Sequence, residues 1–184
     1  ARTGQPVWNI GHKTFHVGDG MVADFDPVHK GLECFASEDR KGGSTDKYLL
    51  SADGKPLGKK EEVPSGRNWA WWDGDLLRET FKGDDNRWGA SSSSNGRSLS
   101  IVKWKGETLT QDIEGDILMI ADLYGDWREE IITALPGEIR IYTTNLPAKD
   151  RRTTLMQDGI YRSYVAHRSM GYPQAPVPSY YLGE

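Results

Sequence analysis

Six carboxylates fall at spacings suited to gripping a cation. Asp24, Asp26 and Glu33 lie in Asp24-Phe25-Asp26-Pro27-Val28-His29-Lys30-Gly31-Leu32-Glu33, where Pro27 fixes the entry and Gly31 permits a sharp bend. Asp122, Asp126 and Glu130 repeat the theme in Asp122-Leu123-Tyr124-Gly125-Asp126-Trp127-Arg128-Glu129-Glu130. Oxygens crowded on such turns suit calcium, a hard cation that takes about six to eight oxygen ligands. Carboxylates this close repel one another unless a cation or a basic group offsets them. The other use of these aspartates is to accept backbone N–H bonds and tie the turns, with Arg128 pairing a carboxylate. Trp72-Asp73-Gly74-Asp75 looks similar but lacks a downstream Gly-x-Glu, so the metal assignment rests on the first two segments.

Other chemistries find less support. His12, His16, His29, His167 and Cys34 show no zinc-ligand spacing. Cys34 sits in an apolar run and reads as core. There is no Gly-x-Ser-x-Gly elbow and no phosphate-binding loop. Trp69, Trp71 and Trp72 lie close together, and on a strand Trp71 and Trp72 must face opposite sides. One then packs in the core, and the other meets a neighbour or a ligand.

The elements that would position these groups are short strands in a repeat. Asp24, Asp73 and Asp122 are spaced 49 residues apart both times. Gly4, Gly54 and Gly106, each in a tight turn expected to enter a strand, are 50 and 52 apart. Strands are expected over 31–36, 47–51, 98–104, 130–134 and 138–143, the last two joined at Pro136-Gly137. No stretch shows helical periodicity with caps, so no long helix is expected. A period near 49 with short strands is the mark of β-propeller blades. The expected fold is all-β, a β-propeller with roughly four blades' worth of chain in its 184 residues. Residues 1–184 should thus be one propeller portion of a longer chain, completed by remaining blades of the same protein. A polar loop covers 91–96, and the Pro- and Tyr-rich tail over 172–184 should be extended and close the ring.

Composition narrows the partners. The net charge is −4, from 23 basic and 27 acidic residues, which argues against nucleic acid. No run approaches the roughly 18 apolar residues of a membrane-spanning helix. A single cysteine excludes an internal disulfide framework.

Several stretches resemble the bacterial rhamnogalacturonan lyases of polysaccharide lyase family 11. They are Trp71 through Glu79, Ala121 through Glu130, Arg140-Ile141-Tyr142-Thr143-Thr144, Thr154 through Asp158, Tyr161-Arg162, and the tail with Tyr172-Pro173-Gln174 and Tyr181-Leu182-Gly183. They occur in the family's order along nearly the whole chain, and correspond to the C-terminal part of such an enzyme. The resemblance implies an eight-bladed propeller with several calcium ions. It implies β-elimination at galacturonate in rhamnogalacturonan I, an acidic plant cell-wall polysaccharide, and a secreted, periplasmic or cell-surface location in a bacterium. Tyr172 matches a tyrosine proposed to act in the family's cleft, and Gln174 a polar neighbour. The family's lysine before the Ala-Asp-x-x-Gly-Asp-Trp motif is absent, since that stretch reads Ile113-Glu114-Gly115-Asp116-Ile117. His16 and His167 are candidates to replace it as base. Arg162 and Arg168 are candidates to grip a carboxylate bidentately, or else pair with Asp158 and loop carbonyls. Trp71 is the candidate for stacking on a sugar ring. Two further readings are a carbohydrate-binding propeller without catalysis and a structural propeller that binds a protein partner.

Overall fold

Antiparallel pairing of short strands organises the chain, in two compact units spanning 1–64 and 65–184. The computed structural model describes residues 3–39, 46–63, 68–83, 98–168, 170 and 174–183. The 91–96 loop and Tyr172 lie outside the described residues.

In the first unit, strands β1 (His16–Ala23), β2 (Glu33–Asp39) and β3 (Lys47–Ser51) form one sheet in that order. Met21 pairs with Phe35, and Phe35 with Leu49, so period-2 alternation stacks three apolar side chains on one face. These three are buried together with Ala23, Phe25 and Val63. The Gly4 turn enters no strand; the chain stays irregular until His16.

The second unit holds two sheets. One is β4 (Trp69–Ala70), β5 (Glu79–Lys82), β6 (Ser98–Val102) and β7 (Thr108–Glu114). The other is β8 (Asp116–Ala121), β9 (Glu130–Leu135) and β10 (Glu138–Tyr142). Gly115 carries the chain between the sheets at φ +98°, where a side chain would meet the Ala134 carbonyl at 2.6 Å. Pro136 and Gly137, the latter at φ +83°, close the β9–β10 hairpin as a two-residue turn. Ala70, Trp72, Phe81, Leu99, Ile101, Ile113, Ile120 and Ile131, drawn from both sheets, form one buried core. Each fully buried isoleucine stabilises by about 1.5–3 kcal/mol. The expected all-β class holds as three antiparallel sheets, with no closed barrel among the described residues.

One element departs from expectation. Helix α1 (Gly159–Arg168) follows a 3-10 turn over Leu155–Gln157. Asp158 caps it by accepting the Tyr161 N–H at 2.8 Å, and His167 and Arg168 close its last turn. The helix buries only Tyr161 and Arg168, so no apolar stripe marks it in the sequence.

Tyr161 enters a second core with Trp71, Trp127, Leu155 and Leu182. At its heart lies Glu129, whose side chain is fully buried. Its Oε2 accepts from Arg78 at 2.9 Å and from the Trp71 N–H at 3.0 Å. Its Oε1 accepts from the Tyr161 hydroxyl at 2.7 Å. Burial, and then the nearby Glu129 charge, push the Tyr161 phenol well above its ordinary value, which keeps it a donor. Arg78 also donates to the Trp69 and Pro176 carbonyls and lies over the Trp71 ring at 4.1 Å.

Removing one member of this pair leaves a buried charge alone. Arg78→Met should destabilise the unit by about 3–5 kcal/mol. Tyr161→Phe, which removes one donor to Glu129, should cost about 1–3 kcal/mol. Urea unfolding measures both, and near-zero losses would contradict the described burial.

Candidate functional site

The three acidic segments fold alike, for a reason visible in their last residue. A glutamate at the head of a strand reaches back and accepts main-chain N–H groups of the preceding turn. Glu33 Oε2 accepts from Phe25 and Asp26 at 3.0 and 3.1 Å. Glu130 Oε2 accepts from Leu123 and Tyr124 at 2.9 and 3.1 Å, and its Oε1 accepts from Thr143. Glu79 Oε2 accepts from Trp72 alone, at 2.8 Å. Within each turn an aspartate accepts an N–H two residues on: Asp26 from Val28, Asp75 from Leu77, and Asp126 from Arg128.

Each turn also carries a basic partner. His29 Nδ1 lies 2.9 Å from Asp26. Arg128 pairs with Asp126 through Nε at 3.1 Å and through Nη2. Lys103, from just past β6, lies 2.6 Å from Asp73 and also pairs with Asp75. Burial works against the Lys103 charge, but the two aspartates outweigh it and hold its pKa above the ordinary lysine value.

The middle turn is the one that gathers ligand atoms. Among the described residues, Asp73, Asp75 and Glu79 form the group whose oxygens lie within 4.8 Å of one another. Glu79 is 1% exposed, and its Oε1 is buried with no hydrogen-bond partner. Burial, and then the Asp73 charge, push the Glu79 carboxyl well above its ordinary value. An orphaned carboxylate oxygen beside two further carboxylates is a donor set that fits a hard cation. This acidic cluster can hold a metal ion, with Lys103 already supplying one positive charge.

The six ligands expected from sequence sit in the outer two turns. Asp24 is half-buried, and Asp26 and Glu33 are buried in the first unit. In the second unit, Asp122 accepts from Gly125, Thr154 and the Leu155 N–H. Asp126 and Glu130 serve the bonds given above. These contacts follow the turn-tying alternative. Glu33 and Glu130 are both pushed up, chiefly by burial.

The other candidates are scattered. His16 is exposed on β1 in the first unit, and His167 is exposed at the end of α1 in the second. Gln174 is exposed. Arg162 donates to the carbonyls of Met156 and Gln157 at 2.7 and 2.9 Å, as its structural alternative expects. Arg168 is buried and donates to Leu118, Gln174 and Asn68. Trp71 and Trp72 face different cores, although β4 ends at Ala70 and neither lies on a strand. Both are buried, which leaves Trp71 no open ring face for stacking. Sequence reasoning missed Lys103, which lies in a β-turn far from its partners in the chain. The signal for Glu79 was present, because it follows Asp75 at the spacing that separates Glu130 from Asp126.

The chain and its fold have known relatives. Residues 1–184 match the family described as Rhamnogalacturonan lyase family 11, C-terminal domain, and the chain belongs to that family. Among its relatives is the rhamnogalacturonan endolyase YesW of Bacillus subtilis (strain 168), 38% identical over all of this chain and 28% of that enzyme's length. The rhamnogalacturonan exolyase YesX of the same organism is 33% identical over all of this chain and 31% of its own length. The crystal structure of YesW superposes with a TM-score of 0.71 at 35% identity, covering 98% of this chain and 29% of that one. The rhamnogalacturonan lyase PL11 of Bacillus licheniformis gives 0.73 at 33%, covering 99% and 29%. The chain thus spans less than a third of the length of these relatives.

Folding raises the Glu79 pKa, so this group stabilises the unit below the ordinary carboxylate value of 4.5. That contribution is lost as pH climbs through the elevated folded value. With a chelator present, the melting temperature should therefore fall with rising pH in the native protein and stay flatter in Glu79→Gln. Added calcium should flatten the native protein's slope more than the variant's. Parallel slopes in the two proteins would contradict this assignment.

Proposed function

We propose that the chain is the C-terminal portion of a lyase that cleaves rhamnogalacturonan I by β-elimination at galacturonate. The observation that carries this reading is similarity along the whole of residues 1–184 to an endolyase and an exolyase of that polysaccharide. In this reading the three sheets are blades of a β-propeller. The remaining blades belong to the same protein, and the tail over 172–184 closes the ring. A polymeric plant cell-wall substrate favours a secreted, periplasmic or cell-surface location in a bacterium.

The chemistry sets what the residues must do. Removing the C5 hydrogen of galacturonate builds negative charge beside its carboxylate, and donors or a cation must offset it. Tyr172 is our candidate for the base. Its ordinary value near 10 requires positive charge close by. His16 and His167 are the alternatives, and Gln174, on the surface, is the candidate to contact substrate. Arg162, Arg168 and Trp71 are held by protein groups, so this reading gives them positioning roles. Calcium is the proposed ion at Asp73, Asp75 and Glu79, and at the Asp24–Asp26–Glu33 and Asp122–Asp126–Glu130 turns. When bound, it neutralises clustered carboxylates and pins the turns.

A second reading is a carbohydrate-binding propeller without catalysis. The Ile113–Ile117 stretch favours it, because no lysine stands there. Ultraviolet absorbance of the unsaturated uronate, followed with the intact native protein and rhamnogalacturonan I, decides between them. The lyase reading expects product, and at least about a hundredfold less from Tyr172→Phe. Binding without product supports the second reading. A polysaccharide that is neither bound nor cut defeats both.

A further inference from the structure

The second unit contains a cleft of about 540 Å³ lined by Arg151, Arg152, Gln157, Asp158, Tyr180 and Leu182, among others. That volume falls within the roughly 300–1,000 Å³ of small-ligand sites. Its walls come from the segment before α1 and from the C-terminal tail. Leu182 is buried and ties the cleft to the core around Trp71 and Tyr161.

The arginines here differ from the others among the described residues. Arg78, Arg128, Arg140, Arg162 and Arg168 all donate to protein acceptors. Neither Arg151 nor Arg152 makes a hydrogen bond or ion pair among the described residues. The Arg152 Nε is buried and has no acceptor. Two guanidinium side chains lining one cleft offer planar forks that match a carboxylate.

The remaining walls add selectivity. The side chains of Gln157 and Tyr180 make no hydrogen bond among the described residues. Both line the same cleft. Asp158 also lines it, but its carboxylate is occupied by Ser179 and the Tyr161 N–H. Those bonds, the Ser179 hydroxyl first, hold its pKa below the usual carboxylate range. It therefore stays an anion engaged with its own helix and with Ser179.

We propose that this cleft binds a uronic acid residue of a polysaccharide chain, with Arg151 and Arg152 clamping its carboxylate and Gln157 and Tyr180 meeting its ring hydroxyls. The inference rests on the lyase reading for the identity of the sugar, and adds a subsite that reading does not supply. A carboxylate forms charge-assisted bonds with a guanidinium, which a neutral sugar hydroxyl does less strongly.

Calorimetric titration of the intact native protein with a galacturonate-containing rhamnogalacturonan oligosaccharide tests it. The carboxyl-reduced, neutral oligosaccharide is the control. The Arg151→Gln/Arg152→Gln double variant should bind the acidic ligand about ten- to a hundredfold more weakly. For the neutral ligand, variant and native protein should bind alike. Equal affinity of the two proteins for the acidic ligand overturns the inference. If the double variant melts early, Gln157→Ala and Tyr180→Phe carry the test, and unchanged affinity in both overturns it. Cleavage followed alongside separates the two ideas. A native protein that cuts the polysaccharide, with binding indifferent to both arginines, sinks the subsite and spares the lyase. A native protein that neither binds nor cuts ends both.

Discussion

A carboxylate taken out of water loses several kcal/mol of hydration, and nothing in a protein interior returns it without donors. Glu129 is such a group, and the second unit is arranged around supplying those donors. Arg78, the Trp71 main chain and Tyr161 each give one. Arg78 and Trp71 lie in the β4–β5 connection and Tyr161 on helix α1, so one side chain just before β9 fastens that connection and the helix together. Arg78 extends the tie to the tail through the Pro176 carbonyl. The Glu129 N–H returns a bond to the Trp71 carbonyl at 2.8 Å, which leaves Trp71 bracketed from both directions. A hydrophobic substitute at any one of these positions strands the others, which is why the group behaves as a unit.

The same carboxylate logic, used more locally, generates the repeat. Glu33, Glu79 and Glu130 each hold the turn that precedes their strand by accepting main-chain N–H groups. The outer two turns satisfy that glutamate with two N–H groups each. The middle one offers a single N–H and leaves Glu79 Oε1 unmatched. Acid crowding alone does not call for metal, since His29 and Arg128 sit beside Asp26 and Asp126. The unmatched oxygen is what distinguishes the middle turn, and Lys103 offsets its charge without bonding that atom.

Much of this was legible beforehand. The 49-residue spacing of Asp24, Asp73 and Asp122 is visible because turn chemistry places particular residue types at fixed offsets. Strands β3, β6, β9 and β10 show through runs of Val, Ile, Leu and Tyr bounded by turn residues. Trp71 and Trp72 face different cores, although they lie just past the end of β4 and not on a strand. The hidden parts depend on partners distant in sequence. Helix α1 buries a tyrosine and an arginine, and an apolar periodicity search passes over both. Lys103 looks like any lysine before a turn until β5 and β6 pair and bring it to Asp73. Arg151 and Arg152 read as an ordinary polar loop until the tail supplies Tyr180 and Leu182.

An acidic chain proposed to meet an acidic polymer looks like a contradiction, and the arrangement of charge removes it. The net charge of −4 counts every carboxylate equally. Yet Glu33, Glu79, Asp122, Glu129 and Glu130 are buried, where they serve turns and cores and lend little field to the surface. Arg151 is exposed and Arg152 half-buried at a cleft, with no carboxylate bonded to either among the described residues. The sign that an approaching anion meets there is set by this local pair and by Asp158, already engaged by Ser179 and the Tyr161 N–H, more than by the sum. An acidic composition is therefore compatible with an anionic ligand, provided its acids are structural and its free cations lie together.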